Sequence, residues 1–124
     1  MTAPAEPLFA FYQTTRFDKW VRTNRLTSAV QKLKAEIQEN PDVGDVIPGG
    51  NGLRKIRMGG LGRGKSGGFR VVYALILSRT AAILFDGYSK SAKEDLSDDE
   101  LKSLVIELGG MSAQMDTLDS EDRE

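Results

Sequence analysis

The 124-residue chain contains no cysteine and no histidine. Without thiols there is no disulfide framework, thiolate nucleophile, iron–sulfur site or zinc finger. Without imidazole there is no histidine triad, no histidine acid–base pair and no His-ligated metal. Catalysis, if there is any, is left to Lys, Arg, Tyr, Ser, Thr and carboxylates. Long apolar runs are also scarce at the start: MTAPAEPLFAFYQ lacks a positive leader, and Leu8 to Tyr12 is too short for a signal-peptide core or a membrane span. The expectation is a cytoplasmic protein with no membrane partner.

Net charge of one sign is almost missing, at −1, yet this average hides a division. Residues 1–93 carry 15 basic and 7 acidic groups, whereas residues 94–124 carry 2 basic and 11 acidic. The chain is a basic body with an acidic end. A hydrophobic content of 40% over this length is enough for one domain with a single core.

Residues 1–7 hold two prolines and read as a flexible lead-in. Leu8 to Thr15, rich in aromatics, reads as a strand. Thr15-Arg16-Phe17-Asp18 resembles a capping box and opens a short helix carrying Phe17, Trp20 and Val21. A second helix starts near Thr27-Ser28, with Leu26, Val30, Leu33 and Ile37 as its apolar stripe, and Asn40-Pro41 stops it. Pro41 to Gly52 is turn material. Leu53 to Met58 alternates, placing Lys55 and Arg57 on one side and Arg54, Ile56 and Met58 on the other. Nine of the thirteen glycines fall between Gly49 and Gly68. Phe69 to Leu77 is apolar on both faces, as a central strand is, and Ala81 to Tyr88 follows it after a turn. Ser97-Asp98-Asp99-Glu100 is a capping box that opens a last helix, which Gly109-Gly110 is expected to end. The order predicts an α+β sandwich with helices against one face of a mostly antiparallel four-stranded sheet. One domain over 8–110 is expected, followed by a disordered acidic tail over 111–124. A possible role of that tail is to fold back over the cations.

Gly59 to Ser66 fits the phosphate-loop pattern letter for letter, and Gly62 to Gly67 fits GxGxxG. Both motifs work by opening directly into a helix N-terminus, and here Gly67-Gly68 leads into the β-rich FRVVYALIL, so nucleotide binding is rejected. The informative feature is the cation cluster. Between Leu53 and Arg70 lie Arg54, Lys55, Arg57, Arg63, Lys65 and Arg70 with no acid among them. Such a run is most often a solvated strand edge. Against that, Lys55 and Arg57 share a face, and Arg70 is a charge placed in an otherwise apolar strand. Lys90 and Lys93 follow the last strand and extend the patch. Tyr73 and Tyr88 are candidates for base stacking, although an aromatic in a strand is more often core. The residues themselves point to RNA or phosphate binding of low specificity.

The run GDVIPGGNGLRKIRMGGLGRGKSGGFRVVYALIL, followed by GYSKSAKEDLSDDEL, resembles the HigB/RelE-type toxins of bacterial toxin–antitoxin pairs, over about residues 8–108. Leu53 to Arg57, Gly68 to Tyr73 and Tyr88-Ser89-Lys90 are its most specific parts. The resemblance implies a RelE-like fold, with two N-terminal helices and a C-terminal helix on the sheet. It also implies cleavage of mRNA in the ribosomal A site and a cognate antitoxin as partner. Carried onto this chain, the catalytic set is Lys55, Arg57, Arg70 and Lys90; the reading of the cation cluster and its aromatics adds Arg54, Arg63, Lys65, Tyr73, Tyr88 and Lys93 as substrate contacts. Classical members place an arginine after that lysine and a tyrosine near the final helix, where this chain has Ser91 and Ser97. Tyr88 is therefore the candidate for the stacking or acid–base role.

Cleavage of RNA by its own 2′-OH needs a base for that hydroxyl, cations on the nonbridging oxygens and a proton for the 5′-oxygen, and no metal or other cofactor. Lys55 is one candidate base. The other division makes every cation electrostatic. Two further readings stay open: a gyrase-binding relative without nuclease activity, and a plain RNA-binding module.

Overall fold

The computed structural model describes residues 8–59 and 68–122, with side chains as far as Met115 in the last helix. Strand β1 (Ala10–Gln13) leads into helices α1 (Thr15–Thr23) and α2 (Thr27–Glu39). Strands β2 (Asp45–Val46), β3 (Arg54–Met58), β4 (Phe69–Ile76) and β5 (Ala81–Ser89) follow, and helix α3 (Asp98–Asp122) closes the order. The sheet is five-stranded, in the order β1-β5-β4-β3-β2. β1 runs parallel to β5, and every other pairing is antiparallel. The four-stranded expectation missed β2, two residues inside a segment dense in turn formers, too short to leave a period.

The cap of α1 is Thr14, one residue before the expected start. Its Oγ1 accepts the Phe17 N–H at 3.0 Å and donates to the Phe85 carbonyl at 2.7 Å, fastening the helix start to β5. Trp20 then packs against Gly87, where a Cβ would come within 2.2 Å of the indole ring, so β5 needs a glycine there for α1 to approach. Trp20 also meets Phe69 edge-on at 5.7 Å.

Helices cover both faces of the sheet, and this corrects the one-face expectation. Phe17, Val21, Val30, Leu33 and Ile37 of α1 and α2 bury against Ile56, Met58, Val71, Tyr73 and Leu84. Leu104 and Leu108 of α3 cover the opposite face, over Leu53, Val72, Ala74, Ile83 and Phe85. The physical reason was already in the sequence: FRVVYALI is apolar at odd and even positions alike, and a strand of that kind needs a cover on each side.

The capping box of α3 forms as expected. Glu100 N–H donates to Ser97 Oγ at 3.1 Å, and Ser97 N–H to Glu100 Oε1 at 2.8 Å. The expected stop does not: α3 passes through Gly109-Gly110 to Asp122, so the start of the tail is helical rather than disordered. Leu104, Leu108, Met111 and Met115 fall at i, i+4, i+7 and i+11, and both methionines pack on the second core. The apolar stripe thus continues past the glycines. Side chains beyond Met115, and with them any contact of the far tail with the cations, lie outside the described residues, as does the lead-in over 1–7. Among the described residues no helix is long and apolar enough to cross a membrane.

Candidate functional site

β2 pairs with Arg54 and Lys55 and then departs, so Ile56 to Met58 have no strand beside them on that edge among the described residues. A cleft of about 470 Å³ opens there. Lys55 and Arg57 from β3, Arg70 from β4 and Lys90 from just after β5 line it, together with the carboxylates Glu36, Asp45, Glu94 and Asp95. All four of the expected catalytic cations therefore meet in one place.

Register explains how. Arg57 is the cross-strand partner of Arg70, and Arg70 in turn of Tyr88, so three polar side chains form one row across β3, β4 and β5. Like charges directly opposite one another destabilise a strand pair. Moreover, Arg70 is 8% exposed and its described hydrogen bond is a long one, 3.4 Å to the Phe69 carbonyl. No carboxylate among the described residues forms an ion pair with Arg57, Arg70 or Lys90. Two guanidiniums on neighbouring strands, neither paired with a carboxylate among the described residues, form a site that an anion completes.

Lys55 differs. Its Nζ is 3.1 Å from Asp95 Oδ1, a carboxylate that favours the ammonium form over the free amine a base requires. The Leu96 amide, first, and then Lys55 hold the Asp95 carboxyl below the usual range. Tyr88 points its hydroxyl at the same oxygen, 3.5 Å away. Burial, reinforced by Asp95, pushes the Tyr88 phenol up to about 12, so at neutral pH it is a proton donor and not a base.

Three expected substrate contacts belong elsewhere. Arg54 faces the opposite side of β3, where it donates to the Gly44 carbonyl at 2.7 Å and pairs with Asp42 at 3.3 Å. Tyr73 is fully buried; its hydroxyl donates to the Pro41 carbonyl at 2.9 Å and accepts from the Gly44 N–H at 2.9 Å. It has no surface on which a base could stack. Lys93 lies 5.1 Å from the centre of the Tyr88 ring and pairs with Glu100, turned toward α3. Tyr88 itself is 5% exposed, so its ring offers no open face for a base to stack on. Arg63 and Lys65 lie outside the described residues. Asp95 escaped the sequence reading because the acids after residue 93 were counted together as an acidic end. The available signal was its position, a few residues beyond the last strand and beside Lys90.

Over residues 10–121 the sequence matches the family described as the RelE toxin of the RelE/RelB toxin–antitoxin system. Among solved structures the fold is similar to that of an arginine-to-alanine double mutant of E. coli toxin RelE in the free state. That likeness has a TM-score of 0.58 at 18% identity and covers 82% of this chain and 97% of the other. The isolated E. coli RelE toxin matches at 0.51 and 17% identity, covering 79% and 96%. The intact E. coli RelBE toxin–antitoxin complex matches at 0.50 and 19%, covering 67% and 96%.

Proposed function

Since the chain belongs to the RelE toxin family of toxin–antitoxin systems, we propose that it cuts mRNA in the ribosomal A site and so arrests translation. The observation that carries this reading is the Arg57–Arg70 pair, set side by side at an open cleft with no carboxylate partner among the described residues. In this reaction the substrate 2′-oxygen attacks the adjacent phosphorus while its proton passes to solvent water, and the P–O5′ bond breaks. The products are a 2′,3′-cyclic phosphate and a 5′-OH, with no metal required. Arg57 and Arg70 bind the nonbridging oxygens, whose charge grows as phosphorus becomes five-coordinate. Lys90 adds charge at the end of the row. Tyr88, protonated at neutral pH, is suited to give a proton to the 5′-oxygen. Lys55 acts as a cation, since a carboxylate already holds its ammonium; Lys55→Arg should therefore keep activity, because arginine cannot serve as a base.

A toxin of this kind acts in the cytoplasm and is held in check by a cognate antitoxin, as RelE is found with its partner in the RelBE complex. The test is incubation of the purified protein with a defined mRNA, with and without ribosomes and in the presence of a chelator. Cleavage that needs ribosomes and survives chelation supports the reading. Intact mRNA together with inhibited gyrase supercoiling favours a protein-binding toxin, and binding of RNA without cutting favours a plain RNA-binding module.

A further inference from the structure

Among the four cations of the cleft, Lys55 carries a carboxylate and the other three are paired with none among the described residues. That carboxylate comes from the loop between β5 and α3, and one of its oxygens does all the accepting. Asp95 Oδ1 takes Lys55 Nζ at 3.1 Å, the Tyr88 hydroxyl at 3.5 Å and the Leu96 N–H at 2.8 Å. An ammonium, a phenol and an amide converging on one anionic oxygen is the arrangement a phosphate oxygen seeks. Yet the Asp95 side chain is 62% exposed, so nothing packed around it prevents it from turning away.

We propose that Asp95 is a specificity-determining residue of the cleft: its carboxylate stands in for an RNA phosphate oxygen at the Lys55 end, and RNA must displace it to bind. The inference rests on reading the cleft as a site for RNA phosphate. An exposed ion pair is weak, but this one is intramolecular, and a tethered group competes at an effective concentration of roughly millimolar order. RNA free in solution, far more dilute, loses that competition. RNA already held in place by a large assembly competes on equal terms, because it too is presented locally. Asp95 thereby disfavours stray RNA over RNA that is delivered. Asp45, the cross-strand partner of Lys55, and Glu94 line the same cleft and add to the repulsion.

The test uses a 2′-O-methyl RNA oligonucleotide, which lacks the attacking hydroxyl and stays intact, with binding followed by fluorescence anisotropy over a salt series. Asp95→Asn keeps an oxygen for the Leu96 N–H and removes the charge. Asp99→Asn removes an equal charge from an exposed position outside the cleft lining. Asp95→Asn should bind about two- to fivefold more tightly than the unsubstituted protein at low salt. Its plot of log K against log salt should steepen by roughly 0.7, the mark of one more phosphate neutralised on a single strand. Asp99→Asn should leave the slope unchanged. Equal slopes for the two variants overturn the proposal, because a residue that merely shaped the loop or net charge would not free one more cation. Arg57→Ala keeps the two readings apart. If it loses affinity while Asp95→Asn gains none, the Asp95 inference fails alone; if it binds as the unsubstituted protein does, the cleft is not a phosphate site and both fail.

Discussion

Arg54 and Arg57 stand three positions apart on β3, carry the same side chain, and have opposite fates. Arg54 faces α2 and the loop after it, where two carbonyls and the Asp42 carboxylate take its donors. Arg57 faces the cleft, opposite another arginine, and pairs with no carboxylate among the described residues. The two tyrosines divide the same way. Tyr73 is a buried strut between the Pro41 carbonyl and the Gly44 N–H, whereas Tyr88 sits at the end of the arginine row with its hydroxyl toward Asp95, a residue of the cleft lining. One side of the strand pair satisfies its polar groups and gains stability from them. The other leaves Arg57 and Arg70 without a carboxylate partner among the described residues, and a fold retains such an arrangement when the missing partner is a ligand.

The largest effect that sharpens this contrast is expected at Arg70. Arg70→Ala should lower cleavage, and with it growth arrest in bacteria, by roughly 10²–10³-fold, the scale of losing one donor to a developing anion. Its stability should stay within about 1 kcal/mol, since relief of repulsion from Arg57 offsets the lost packing of the arginine stem. Thermal unfolding beside the growth assay checks both parts. A marked fall in stability would place Arg70 among the structural residues and break the comparison.

Tyr73→Phe should do the reverse. It leaves a buried N–H and a carbonyl without their partner, which costs about 1–3 kcal/mol in denaturant unfolding, while activity per folded molecule is unchanged. In stability, the smallest effect belongs to Tyr88→Phe and appears at high pH. Folding raises the Tyr88 phenol from 10.0 to about 12. Between those values the unfolded chain sheds the proton and the folded one keeps it, so this tyrosine's contribution to stability is constant below pH 10 and falls as pH rises toward 12. Phenylalanine has no such proton, and the midpoint of alkaline unfolding should move upward. An unmoved midpoint would mean that the hydroxyl is not held protonated by burial and Asp95.

Much of this was legible from residue types alone. Alternation over LRKIRM separates Arg54 from Lys55 and Arg57, and assigning Arg54 to substrate goes against that signal. Arg70 stood out as the charge inside FRVVYALIL, an anomaly that propensity does not explain. The two-faced apolarity of that same strand demanded helices on both sides, and the continuation of Leu104 and Leu108 into Met111 and Met115 demanded a longer α3. These were misreadings of a signal that was present. Register was not legible in the same sense. That Arg57 falls opposite Arg70, and Arg70 opposite Tyr88, depends on the length of the β3–β4 connection and on the irregularity after Val72, neither of which has a local period. Asp95 was hidden for a related reason, since its contact with Lys55 spans 40 positions and is made by a loop.

The most direct test of the contrast is to measure Arg54→Gln and Arg57→Gln in parallel, recording for each the unfolding free energy and the rate of ribosome-dependent mRNA cleavage. The outcomes should cross. Arg54→Gln should lose about 1–2 kcal/mol of stability and cleave at close to the unsubstituted rate once the folded fraction is taken into account. Arg57→Gln should unfold like the unsubstituted protein or slightly later, and cleave roughly 10²-fold more slowly. If instead both variants lose cleavage alike, or Arg57→Gln loses stability while its cleavage holds, the partnerless arginine is not the functional one, and the account of the two faces is wrong.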